Sequence, residues 1–500
     1  MDDDAIRDSM LRADHNCQRY LLQSMQEYGY ALQLGNKHLF QALPRLLMLW
    51  FDFVSIIPVS EVSNAEGKTS KAKASSDQCL ADQQHEANAL MAEFLQVIPP
   101  HSFYTVLPQL ISRVMHRDED TARIVRAILT KVLEKFPPQS MWALGWLRHS
   151  VHSTKKKVGE EIFKNAQKAL RRKEDMKMHD LLVASKRLFQ FLINLAELNP
   201  SNPNARTFRI NPWKGEVDLM EFVPPVQAAL SISPASSSCR DAFPAFVPRM
   251  RSFSSQIQVM SSKARPKKIT AFAIPAGKQR YPSSSSKNHL AQPGDIGEIH
   301  FLVKQEAKGD LRKDARVQDL NNVINRLLMH NVGSRKNASR QRRRLHLRTF
   351  SVVCLKEDCG MLEWVPNTDS FRNLVSSSYN PQADPHSIRR RGRRIANFSD
   401  VSLRTSFEKC QNLYFKNGSL VRAAETFRET CLKQYPPLLY WWFVKEFLDP
   451  HAWFEARTAF TLSAAAWSAV GHVIGLGDRH SENILVDTKS GDCVHVDFDW

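Results

Sequence analysis

No run of about 18 apolar residues occurs in the chain, so a membrane-spanning helix is not expected. The opening stretch, "MDDDAIRDSM", is acidic and has no apolar core, which argues against a secretory signal. Cysteine is present eight times, at 17, 79, 239, 354, 359, 410, 431 and 493, but never as a Cys-x-x-Cys pair. No histidine spacing completes a zinc site either, and reduced thiols in cytosol or nucleus are the simplest account. A fixed repeat period is also missing, so any repeats are degenerate.

What is present is an ordinary soluble composition, 43% hydrophobic and 24% charged, with 500 residues giving room for two to four domains. The balance of 69 Lys+Arg against 51 Asp+Glu leaves +18. Such a field favours polyanions: nucleic acid, nucleotides or acidic partners. Because the charge is clustered, solvated inserts account for it equally well.

Residues 1–199 read as helices with no intruding strand pattern, broken by a polar stretch at 60–86 expected to be a loop. Stacked helix pairs, an α-solenoid, are the natural architecture. Residues 200–265 are rich in Pro and Ser and read as a connection. Strand signals follow at 267–274, 298–304, 345–355 and 361–365, with a helical pattern at 314–330. That order predicts an α+β region, 266–365, with a mostly antiparallel sheet. Residues 366–500 begin another segment, helical at 396–449 and 455–475. Two polar inserts stand out, 275–293 and 376–394. The second ends in "RRRGRR", compatible with a nuclear-localisation or nucleic-acid patch or with a solvated face.

The chemistry is concentrated in "GLGDRHSENILVDTKSGDCVHVDFDW" at 475–500. "NILVD" and "CVHVD" form a predicted hairpin around Gly491. Centring its turn on Ser490 sets Asn483 opposite Asp497, where an amide oxygen and a carboxylate share a hard cation such as Mg2+. Asp478 precedes Asn483 by five positions, the interval that separates base and metal ligand in protein kinases generally. His480 is placed to act on the γ-phosphate, as proton acceptor or as donor to developing charge, beside Arg479. Gly475 and Gly477 permit the tight turn. Upstream, Lys304 ends an apolar strand and can reach phosphate oxygens, with Asp314 to hold it. Gly294 and Gly297 sit in a turn whose amides approach phosphate. "MLEWVPN" offers backbone groups of Glu363 and Val365 to adenine and the ring of Trp364 to its face.

Together these residues resemble the phosphatidylinositol-3-kinase-related protein kinases. "GLGDRHSENIL…VHVDF" is similar to their catalytic loop and metal motif, and "DLRKDARVQDLNNVIN" to the segment after their nucleotide lysine. "RRRLHLRTFSVVCLKEDCGMLEWVPNT" and "RPKKI" look like the ATR-type branch. "LQLGNKHLFQALPRLLMLWFDF" and "IPPHSFYTVLPQLISRVMH" are similar to the end of its FAT solenoid. The resemblance implies a serine/threonine protein kinase of DNA-damage checkpoint signalling that is nuclear, uses ATP with Mg2+ or Mn2+, and phosphorylates Ser/Thr-Gln sites. It also implies a DNA-targeting partner subunit, and DNA association direct or indirect.

By position, Lys304 and Asp314 serve phosphate, Glu363 to Val365 adenine, Asp478 and His480 catalysis, and Asn483 and Asp497 the metal. The interval from Lys304 to Asp310 is two residues longer than is usual in the family, which leaves Lys308 as a substitute. The family continues where this chain stops at Trp500. A fragment is therefore expected, without activation loop, remaining large lobe or FATC segment, its metal-binding Asp lacking the floor that orders it. A phosphoinositide lipid kinase and a non-catalytic scaffold that binds partners or nucleic acid are the alternatives the residues leave open.

Overall fold

The structure, a computed structural model, describes residues 3–56, 71–199, 205–210, 222–232, 242–244, 247–260, 264–274, 297–306, 311–332, 345–379, 400–416, 418–432 and 437–498. The chain divides into two compact units, one of residues 1–316 with 350–364, the other of 317–349 with 365–500.

The first unit opens with helices α1 (Asp3–Leu34), α2 (Leu39–Val54), α3 (Lys71–Val97), α4 (Pro100–Tyr104) and α5 (Leu107–Ser112). It continues with α6 (Glu119–Lys135), α7 (Pro137–Leu144), α8 (Ser153–Arg172) and α9 (Met176–Glu197). Residues 71–86, expected in a loop, are the first turns of α3. Their low apolar content hid the helix: Leu80 is the buried hydrophobic residue among the described side chains of that stretch, and the apolar stripe of Ala87, Met91 and Phe94 begins only after it. Residues 100–112 form two short helices rather than one, because Pro108 cannot donate within a continuing helix and instead opens α5.

Local signals set the frame. Asp118 caps α6 by accepting from the amide of Thr121 at 2.8 Å. The same residues close a buried polar network: Trp50 Nε1 donates to Asn88 Oδ1 at 2.9 Å, and Thr121 Oγ1 donates to that oxygen at 3.0 Å. Asn88 in turn donates to Asp118 at 3.1 Å, so the tryptophan at the centre of the helical core leaves no N–H unpaired.

The sheet of this unit is wholly antiparallel, in the order β1-β3-β4-β5-β7-β6, with β2 also pairing with β4. Its strands are β1 (Thr207–Arg209), β2 (Arg249–Phe253), β3 (Gln256–Val259), β4 (Lys267–Ile274), β5 (Gly297–Gln305), β6 (Val352–Lys356) and β7 (Cys359–Glu363). The first three lie in the stretch read as a connection. At three to five residues each, they are too short for a period-2 pattern to stand out. A four-residue helix, α10 (Gln227–Leu230), lies between β1 and β2. Of the predicted strand 345–355, only the end from Val352 is extended into the sheet.

Helices and sheet share one core, in which Leu188, Phe189, Phe253, Phe301 and Met361 are all buried. Polar ties reinforce it. The buried ammonium of Lys267 donates to the Ala196 carbonyl at 2.6 Å, satisfying the C-terminal end of α9. Lys356 pairs with Glu197, and Glu357, in the β6–β7 turn, accepts from Ser150 and from the amide of Val151.

Helix α11 (Arg312–Val332) starts in the first unit. The second unit holds α12 (Phe371–Tyr379), α13 (Asp400–Phe415), α14 (Leu420–Thr426) with a π turn to Leu432, α15 (Leu439–Glu446) and α16 (Pro450–Ile474). A three-stranded antiparallel sheet accompanies them: β8 (Thr368–Ser370), β9 (Ile484–Asp487) and β10 (Cys493–His495), in the order β10-β9-β8. Leu374, Trp442, Phe443, Phe447, Ala456 and Val486 form its core. None of the described helices is long and apolar enough to cross a membrane.

Gly360 sits opposite Lys304 in the β5–β7 ladder. A Cβ there would lie 2.7 Å from Leu311 Cδ1 and 3.0 Å from the Val353 carbonyl oxygen. Gly360→Ala is expected to cost about 1–3 kcal/mol by overpacking, read as a lowered urea midpoint.

Candidate active site

The candidate stretch begins where α16 ends. Asp449 caps that helix, accepting from the Ala452 amide at 2.8 Å, with Pro450 in the first turn. At the other end Gly475 adopts φ +67°, and the Leu476 amide donates back to the Gly471 carbonyl at 2.8 Å. This left-handed stop turns the chain directly into Gly477-Asp478-Arg479-His480. Trp467 and Ser463 of α16 dock the hairpin. The indole donates to the Cys493 carbonyl at 3.2 Å, and the Cys493 amide donates to Ser463 Oγ at 2.8 Å.

The hairpin forms, but not in the expected register. Asp487 faces Asp492 across a four-residue loop, with Gly491 at φ +80°, so Asn483 opposes Val496 rather than Asp497. The turn centre lies half a residue before Ser490, and in a hairpin that half step slips the pairing by one. The Asp487 carboxylate fixes this turn by accepting from the amides of Lys489 at 2.7 Å and Ser490 at 2.9 Å. Burial pushes that carboxyl up, but Arg348 and the two amides outweigh it and hold it below the ordinary range.

A different device ties Asn483 and Asp497 to the same segment. The Asn483 amide nitrogen donates to the Asp478 carbonyl at 3.1 Å and reaches its carboxylate at 3.4 Å. Both partners are acceptors, which fixes the amide's orientation and leaves Oδ1 facing away from Asp478. Arg479, expected among the catalytic residues, spends its guanidinium on backbone. It donates to the carbonyls of Gly477 at 2.7 Å, Val496 at 2.9 Å and Asp497. Asp478 and Asp497 both hold left-handed backbone, at φ +50° and +55°, a conformation rare outside glycine. At Asp497 the chain has left the strand, so alternation along β10 no longer dictates where its exposed carboxylate points.

His480 is half exposed. Its Nδ1 accepts from the Glu482 amide at 3.2 Å, which places the proton of the neutral ring on Nε2, 3.7 Å from the Asp478 carboxylate. The loop is further held by the Asn483 amide donating to the His480 carbonyl and by the Arg372 amide donating to that of Ser481, each at 3.0 Å. Asn483 Oδ1 and the Asp497 carboxylate are hard oxygen donors, a set that suits Mg2+. Among the described residues no cluster of three or more His, Cys, Asp or Glu forms a fuller metal site. A cavity of about 600 Å3 in this unit is lined by Trp467, Leu476, Arg479 and His495, but not by Asp478, His480, Asn483 or Asp497.

In the first unit, Lys304 lies near the end of β5 with its side chain 10% exposed. Its ammonium is 2.6 Å from Glu306 and 4.0 Å from Asp314, a buried residue in the first turn of α11. Glu306 was not singled out from the sequence, although two residues apart on a strand means one face. Gly297 opens β5, opposite Ala273. Gly294 and Lys308 lie outside the described residues, as do insert 275–293 and residues 380–394 of the second insert. The Glu363 carboxylate accepts from the amides of Ser351 at 2.8 Å and Gln227 at 3.0 Å. The Trp364 amide donates to the His300 carbonyl at 2.9 Å. Lys268 Nζ stands 4.3 Å from the Trp364 ring centroid, so one indole face already carries a cation. Val365 is buried and belongs to the second unit.

Residues 299–500 match the family "Phosphatidylinositol 3- and 4-kinase", and residues 86–187 match "Serine/threonine-protein kinase ATR-like, HEAT repeats". The Serine/threonine-protein kinase ATR of Arabidopsis thaliana is 34% identical over 491 residues, 96% of this chain and 16% of its own length. The chain belongs to the ATR-type phosphatidylinositol-3-kinase-related kinases. Protein kinase rad3 of Schizosaccharomyces pombe is 28% identical over 487 residues, 94% of this chain and 18% of its own. The fold agrees with a solved structure described as the FAT and kinase domain of CtTel1, at a TM-score of 0.59 and 21% identity. That match covers 98% of this chain and 32% of the other. The present member of the family thus spans about a sixth of the length of the curated relatives it matches. Kinases of this family use ATP and a divalent metal in general.

His495, beside the metal motif, is buried in a stack on Trp467, ring centroids 4.6 Å apart. Burial and then the charge of Arg479 lower its imidazole to about 4. The unfolded chain takes up that proton near the ordinary 6.5, the folded chain only near 4. Stability should therefore fall as pH drops through that window, by on the order of 3 kcal/mol below it. His495→Phe is expected to flatten this loss between pH 7 and pH 4.5, measured by urea unfolding at each pH.

Proposed function

We propose that this chain carries the nucleotide strand and catalytic loop of an ATR-type serine/threonine protein kinase. The reaction is transfer of the γ-phosphoryl group of ATP to Ser or Thr followed by Gln in protein substrates. The observation that carries the reading is the bracketing of one short turn. Asp478 and Asp497 both sit in left-handed backbone; Asn483 binds Asp478, and Arg479, the next residue, holds the Asp497 carbonyl. Strained backbone of this kind is kept where function demands it.

Asp478 orients the attacking hydroxyl and accepts its proton. His480 donates from Nε2 to the charge that develops on the transferred group; its bond from Glu482 favours the donor role over the acceptor one. Asn483 Oδ1 and Asp497 would hold Mg2+, or Mn2+, and the ion would neutralise phosphate oxygens. Arg479 positions the loop. Lys304 and Asp314 serve the phosphates, as do the amides of Gly294 and Gly297. Backbone groups of Glu363 and Val365 meet the adenine edge, with Trp364 beside it. The similarity of residues 86–187 to ATR-like HEAT repeats supports protein rather than phosphoinositide substrates. The resemblance to checkpoint kinases supports a nuclear protein of DNA-damage signalling with a DNA-targeting partner subunit.

Calorimetry on the chain tests this. Mg-ATP binding should weaken roughly ten- to a hundredfold in Asp497→Ala and in Lys304→Ala, as charged contacts are lost. Equal Mg-ATP affinity in wild type and both variants would count against the reading.

A further inference from the structure

We propose that Glu306 is a placeholder for the nucleotide's phosphates: it occupies Lys304 in the nucleotide-free chain and must be displaced before the lysine can serve a triphosphate. This rests on the nucleotide reading above and adds a means of tuning it. Two carboxylates compete for one ammonium. Glu306 is at hydrogen-bonding distance, 2.6 Å, and Asp314 is at 4.0 Å. Lys304 and Asp314 have side chains only 10% and 9% exposed, whereas that of Glu306 is 28% exposed. A buried ammonium needs an anion beside it. Of the two available, Glu306 is the one that can swing into water at little cost.

The backbone is arranged for such an exchange. The Glu306 amide donates to the Asp358 carbonyl at 2.8 Å, and Gln305 Nε2 donates to the Asp358 carboxylate at 2.8 Å. The end of β5 is therefore pinned, and releasing Lys304 takes rotation of one side chain rather than a strand shift. Phosphate oxygens, which carry more charge than a carboxylate, then replace Glu306, and Asp314 remains as the fixed partner.

The test compares the 500-residue wild-type chain with Glu306→Gln. ATP and adenosine binding are measured by calorimetry. The acylation rate of Lys304 by an amine-reactive ester is measured without nucleotide, by peptide mass mapping. The variant should bind ATP roughly two- to fivefold more tightly, the range of a partly exposed ion pair, and adenosine unchanged. Lys304 should acylate at least about twofold faster, since the ion pair withholds its amine. If wild type binds ATP through Lys304, as judged by loss in Lys304→Ala, and Glu306→Gln binds it no better, the placeholder is wrong and the kinase reading stands. An equal gain for adenosine, or an unchanged acylation rate, also overturns it. If no variant binds ATP, the nucleotide reading fails and takes the placeholder with it.

Discussion

Three backbone carbonyls converge on the guanidinium of Arg479, and the site of the second unit depends on that convergence. Gly477 belongs to the turn after α16, while Val496 and Asp497 belong to the end of the hairpin. One planar fork of five donors can hold all three because its geometry is fixed; a lysine offers only a rotating point charge. With the fork in place, Asp478 and Asp497 stay in left-handed backbone that neither would keep alone, since each left-handed non-glycine residue costs on the order of 1 kcal/mol or more. Asn483 completes the arrangement from the other strand by binding Asp478.

Strand β5 is governed by a different constraint. β5 lies inside a sheet whose apolar face is continuous with the helical core, and its lysine emerges from that core with little exposure. An ammonium so placed cannot remain without an anion, and the local sequence offers it two. Ligand affinity at such a site reflects which anion leaves as much as which one arrives.

Much of this was legible in the sequence because it rests on local signals. The glycine stop of α16, the hairpin loop and the strands at 267–274 and 298–304 each have a period or turn residue of their own. The register of the hairpin was not legible, since the sequence does not say which residues of "TKSG" span the loop, and a single step reassigns the partner of Asn483. The role of Arg479 was hidden for a related reason: its acceptors are carbonyls, which every residue carries. β1, β2 and β3 escaped because they are too short to show alternation and depend on their pairing, β2 and β3 with β4 and β1 with β3. Glu306 was visible by spacing, but its importance depends on the 4.0 Å that separates Lys304 from Asp314.

The two ties between α9 and the sheet have a mechanical meaning. Lys267 donates to the Ala196 carbonyl near the end of α9, and Lys356 pairs with Glu197 one residue further on. Lys267 sits on β4, directly across from Val303 of β5, the neighbour of Lys304. The end of α9 is thus joined to the strand that carries Lys304 through a single hydrogen bond and the β4–β5 ladder. A shift of that helix end would be felt first in β4 and then in β5.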